Sequence, residues 1–135
     1  MRLRALMRIS YRAALLAALA VAALQQAPGL GQRELWWLDE VRQADVWRAV
    51  VEDGDWLILR LNGAPYPDKP PLHFWLSAGL AWALGSSEPM ALFLGTAIGF
   101  ALFIAAIFGL ACAAGASPTT AARAAAVALS TPYFI

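Results

Sequence analysis

Asp39 and Glu40 stand side by side, Arg42 follows close behind, and Lys69 lies further along in a proline-rich stretch. Carboxylates at the start of a helix are favoured by the amino-terminal dipole, which lowers the cost of keeping them ionised. Arg42 is three residues beyond Asp39, a spacing that puts both on one helical face. Lys69, set among Pro67, Pro70 and Pro71, offers a compact ammonium that can meet a phosphate at the level of lipid head groups.

These charges sit in an otherwise greasy chain. Apolar residues make up 61% and charged residues 14% of the 135, against roughly 45–50% and about 25% in soluble globular proteins. The composition therefore places the chain among membrane proteins. Arg2, Arg4, Arg8 and Arg12 precede the first apolar run. Between Gln25 and Pro70 the acids Glu34, Asp39, Glu40, Asp45, Glu52, Asp53, Asp55 and Asp68 outnumber the bases Arg33, Arg42, Arg48, Arg60 and Lys69. Bases flanking a span tend to stay cytoplasmic, so the amino terminus is expected inside and the acidic stretch outside. The lone Cys112 precludes an internal disulfide. With no large basic patch, nucleic acid is not an expected partner.

The elements follow from hydropathy and punctuation. A first span is expected over 13–27, with 1–12 cytoplasmic. The Ala20-Val21-Ala22 triplet also fits a cleavable secretory signal. Residues 28–88 form an external loop holding two short helices. The first, 38–53, carries an apolar stripe of Val41, Ala44, Trp47 and Val51 and stops at Gly54. The second, 71–85, is apolar but only about fourteen residues long, where a span needs roughly twenty. It is read as interfacial or re-entrant, with His73 packed or interfacial. Between them, "LNGAPYPDKPPL" is a turn-rich connector. Trp36, Trp37, Trp56, Trp75 and Trp82 are expected as interfacial anchors. The uncharged 89–112 is the clearest span, 113–120 a cytoplasmic loop containing no base, and 121–135 the start of a third span that carries Arg123. The chain is expected to be a fragment, because it stops inside that segment.

"LDEVRQADVWRAVVEDGDWLILRLNGAPYPDKPPLHFWLSAGLAWALGSSE" resembles the amino-terminal part of membrane glycosyltransferases of the C-type fold, the superfamily of protein O-mannosyltransferases and aminoarabinose transferases. The resemblance runs from about Trp36 to Pro89. It rests on the Asp-Glu-x-Arg, Gly-Asp-Trp, Leu-Asn-Gly and Lys-Pro-Pro-Leu-x-x-Trp elements in that order. Gln43, Leu59 and Leu92 depart from the family pattern.

The resemblance implies an all-α integral membrane fold with two juxtamembrane helices in the first external loop. It implies transfer of a sugar from a polyprenyl-phosphate donor to a lipid, glycan or protein acceptor, at the outer face of the inner (plasma) membrane. Asp39 would be the catalytic aspartate, with Glu40 beside it. Arg42 and Lys69 would engage the donor phosphate, and Asp68 falls where a divalent metal ion could be held. Membrane lipids are the other expected partner. Two readings of other classes stay open: a non-catalytic small membrane protein, and an exported binding module released by signal cleavage.

Overall fold

The computed structural model describes residues 10–30, 35 and 37–131. The basic cluster at Arg2, Arg4 and Arg8, Trp36, and the last residues of the expected third span lie outside them. Five α-helices and one small hairpin make up the described chain: α1 (Tyr11–Gln26), α2 (Leu38–Arg48), β1 (Arg60–Leu61), β2 (Ala64–Pro65), α3 (Leu72–Leu84), α4 (Met90–Ala113) and α5 (Pro118–Leu129). Contacts divide the chain into two units, Met1–Ala27 with Phe100–Ile135, and Pro28–Gly99.

Helix boundaries sit where local chemistry puts them. Ser10 and Ser117 cap α1 and α5, each accepting from the backbone N–H three residues on. Pro118 occupies the first position of α5, where its missing N–H costs nothing. α2 continues into a π-helical turn, Ala49–Asp53, and Gly54 ends it at φ +73. α3 stops at Gly85, φ +61, with the Ser86 N–H reaching back to the Ala81 carbonyl at 3.0 Å.

Two stretches are long and apolar enough to cross a membrane, Tyr11–Leu30 with mean hydropathy 1.6 and Met90–Ala113 with 2.4. At 1.5 Å per residue the second extends about 36 Å, more than a hydrocarbon core of about 30 Å. The thirteen residues of α3 reach only about 20 Å.

In the first unit, α1 and α5 meet through alanines. Ala18, Ala22 and Ala125 pack with Phe100, Ile104 and Leu129, and Ala14 and Ala121 with Phe108. Small side chains let the backbones approach, and the large residues of α4 fill the remaining space. Polar contacts close both ends: the Tyr11 hydroxyl donates to the Ala116 carbonyl at 3.0 Å, and Gln25 Nε2 to that of Leu129 at 3.1 Å.

The second unit packs α2, α3, the hairpin and the first turns of α4 around Val46, Trp47, Val50, Leu59, Phe74, Ala78, Ala81, Ala91 and Leu92. This corrects the expected α2 stripe. Val46 and Val50 are fully buried, whereas Val41 is 47% exposed. The buried face is turned toward α3 and the hairpin, a direction that spacing along α2 alone leaves open. Trp47 is correspondingly a core residue, 3% exposed, and not a surface anchor. Leu59 and Leu92, where the chain departs from the family pattern, both lie in this core.

Candidate active site

The amino terminus of α2 carries the first group of charges. Trp37 is extended, φ −97 and ψ 145, and the helix begins immediately after it. Asp39 and Glu40 occupy its first turn, where orphan backbone N–H groups favour negative charge. Glu40 reaches back to accept from the Trp37 N–H at 3.4 Å. Asp39 and Arg42 form the expected pair, 3.6 Å apart. Asp39 is 82% exposed, so its carboxylate is open to solvent. Further along, Arg48 pairs with Asp45 at 3.1 Å and with Glu52 at 3.6 Å.

The connector holds more structure than its proline content suggests. Asn62 and Gly63, at φ +51 and +77, make the two-residue turn of an antiparallel hairpin that pairs Arg60 with Pro65 and Leu61 with Ala64. Positive φ at both central positions matches the right-handed twist of the strands, and Asn-Gly supplies it at the lowest steric cost. Arg60 bonds Asp55 at 2.5 Å and the Gly63 carbonyl at 3.1 Å, and the Tyr66 N–H donates to Leu59 at 2.7 Å.

A side-chain hydrogen bond joins this hairpin to α2 beside their shared apolar core. Asp45 Oδ2 accepts from the Asn62 N–H at 2.7 Å. That bond, followed by the one from Arg48, holds the Asp45 carboxyl below its ordinary pKa. The three-residue spacing of Asp45 and Arg48 makes an ion pair readable from the sequence. The pair with Arg48 is present, but the link to the hairpin was missed, as were the contacts of Asp55 and Arg60. The usable signal was the Asn-Gly pair between Leu61 and Ala64, which announces a hairpin whose flanking amides need acceptors.

Lys69 leaves the hairpin on the wall of a cleft of about 240 Å³, otherwise lined by Leu57, Ile58, Leu59, Pro65, Tyr66, Pro67 and Pro71. Its ammonium is the single charge on an apolar wall, suited to hold an anion attached to something greasy. Asp68 beside it is exposed. Among the described residues no three His, Cys, Asp or Glu side chains gather to hold a metal ion. His73 is half-buried, edge-on to Phe74, and burial lowers its pKa. The Trp75 indole donates to the Trp56 carbonyl at 2.7 Å, and Trp56 and Trp82 meet edge to face with centroids 4.9 Å apart.

The second unit thus holds an exposed carboxylate at a helix start and a lysine in the lining of an apolar cleft. The chain is similar to glycosyltransferases named for an undecaprenyl phosphate-linked sugar. In particular, it is 33% identical over 82 residues, 61% of this chain and 15% of the relative, to undecaprenyl phosphate-alpha-4-amino-4-deoxy-L-arabinose arabinosyl transferase 2 of Sodalis glossinidius. The corresponding transferases of Shewanella sediminis and Pectobacterium carotovorum are 39% identical over 49 residues and 36% over 59. These matches cover 36% and 44% of this chain but 9% and 11% of those relatives. No protein-family model matches the chain, and no solved structure does.

Proposed function

We propose that the chain forms the donor-facing part of a glycosyltransferase that moves a sugar from a polyprenyl-phosphate carrier to an acceptor hydroxyl or phosphate on the outer face of the inner membrane. The observation that carries this reading is the partial similarity to the arabinosyl transferases. The geometry agrees with it, since Asp39 and Lys69 belong to one packed unit, joined by the bond between Asp45 and Asn62.

For a hydroxyl acceptor, Asp39 takes the proton as the oxygen bonds to the anomeric carbon and the bond from that carbon to the phosphate oxygen breaks. The carrier phosphate leaves with the electron pair. Lys69, with Arg42, stabilises the charge that develops on it. Glu40 holds the helix start that presents Asp39. In this arrangement α1 and α4 cross the membrane, α2 and α3 lie at its outer surface, and the amino terminus is cytoplasmic.

The test uses the chain in lipid nanodiscs with undecaprenyl phosphate as the probe, and transfer from a labelled undecaprenyl-phosphate sugar is followed in the complete transferase, since the 135-residue chain alone is expected to be inactive. Lys69→Ala should weaken carrier binding roughly 10- to 150-fold, the worth of a charge-assisted hydrogen bond of about 1.5–3 kcal/mol. Asp39→Asn should leave binding intact and abolish transfer. If neither substitution changes binding or transfer, the site assignment is wrong. A structural membrane protein would tolerate both. Against an exported module with a cleaved signal stands the packing of α1, whose Ala14, Ala18 and Ala22 are buried within its own unit.

A further inference from the structure

Leu57 and Ile58 form the tip of the loop between Gly54 and β1, 90% and 53% exposed. The loop is held on every side of them. Below the tip Asp55 grips Arg60, the Trp56 carbonyl accepts from the Trp75 indole, and beyond it the Leu59 carbonyl accepts from the Tyr66 N–H. A slack loop could fold two such side chains inward, whereas this one presents them outward.

What covers the tip is indicated by its surroundings. Leu57 and Ile58 share their cleft with Lys69, the only charged residue in its lining. Trp56, Trp75 and Trp82 lie close by in the same unit, with Trp56 in contact with both of the others. The first turn of α4, a helix long and apolar enough to cross a membrane, packs into that unit through Ala91 and Leu92. Aliphatic tip, indole collar and a long-stemmed cation match the bilayer from hydrocarbon to anionic phosphate.

We propose that the tip at Leu57 and Ile58 inserts into the acyl region of a phospholipid bilayer, holding the mouth of the Lys69 cleft at the head-group level. The occupant of the surface is lipid, not protein. The inference does not depend on the transferase reading, because its readout is depth and not activity.

The experiment places the full chain, with Cys112→Ala as background, in nanodiscs of phosphatidylcholine with a minority of phosphatidylglycerol. Single cysteines are introduced as Leu57→Cys, Ile58→Cys and, on the exposed π-helical turn, Asp53→Cys, each labelled with an environment-sensitive fluorophore. The expected result is blue-shifted emission at 57 and 58, quenched several-fold by lipids carrying an acyl-chain nitroxide and untouched by aqueous iodide, with the reverse at 53. Iodide quenching at 57 and 58 would leave the tip in water and overturn the proposal. So would blue-shifted emission that neither quencher reaches, which would mean that protein covers the tip. Retained α-helical circular dichroism in each labelled variant guards against misreading an unfolded chain.

Discussion

Asp45 accepts two hydrogen bonds pointing in different directions, one from Arg48 a turn along α2 and one from the Asn62 amide at the hairpin. Both favour the ionised form, so its folded pKa lies below its unfolded one. A carboxyl shifted this way contributes stability above its unfolded pKa and loses it as pH falls toward the folded value. Amide exchange at Asn62, corrected for intrinsic pH dependence, should therefore accelerate below about pH 4. Asp45→Ala should loosen the hairpin at neutral pH by roughly 1 kcal/mol, the net worth of an ordinary hydrogen bond. Asp45→Asn keeps an acceptor oxygen, so it should retain most of that protection and remove its acid dependence. An Asn62 amide that exchanges alike in all three proteins would mean the bond does not position the hairpin.

At the scale of elements, two glycines have opposite reasons to be glycine. Gly63 sits at φ +77 with open space where a side chain would be. Its constraint is the backbone, and Gly63→Ala should cost roughly 1–2 kcal/mol of local hairpin stability. This should be visible as faster exchange of the Tyr66 amide, which donates across the hairpin to the Leu59 carbonyl. Gly95 is constrained by space: a Cβ there would stand 2.0 Å from Ser77 Oγ and 3.2 Å from Ser77 Cα. Gly95→Ala, a change that favours an isolated helix, should instead separate α3 from α4 and lower the unfolding temperature in detergent, a cost of about 1–3 kcal/mol. Ser77 Oγ is buried without a hydrogen-bond partner, so Ser77→Ala should be neutral or stabilising. The double variant should recover part of the loss. An unchanged unfolding temperature in Gly95→Ala would mean that α3 and α4 do not pack this tightly.

For the whole molecule, span length and charge work together. In the proposed topology α3, too short to cross, stays on the outer side, the chain leaves the cytoplasm through α1 and returns through α4, and Arg123 falls on the side of the amino-terminal arginines. Impermeant maleimide added to intact cells should label Asp53→Cys in the Cys112→Ala background and spare Arg123→Cys until the membrane is opened. Labelling of both from outside would make α3 a crossing and overturn this topology.

Much of this was legible from residue order alone, because helix existence and helix ends are local. Gly54 and Gly85 close their helices through positive φ, and an uncharged run of the length of α4 has one comfortable solvent, whereas α5 begins at Pro118, inside the stretch read as a loop. The Asp-Glu pair at a helix start was equally readable, as was the pairing of Arg42 with Asp39 three residues away. The hairpin was available in Asn62-Gly63 but was obscured by the density of prolines around it. Tertiary structure alone decided what depends on distant partners. The face that α2 buries was set by α3 and the hairpin, which chose Val46 and Val50 over Val41. Asp45 meets Asn62 across seventeen residues, and Ser77 meets Gly95 between two helices. Such contacts exist only after each element has a neighbour, since a periodic pattern fixes a helix but not the direction from which its partner arrives.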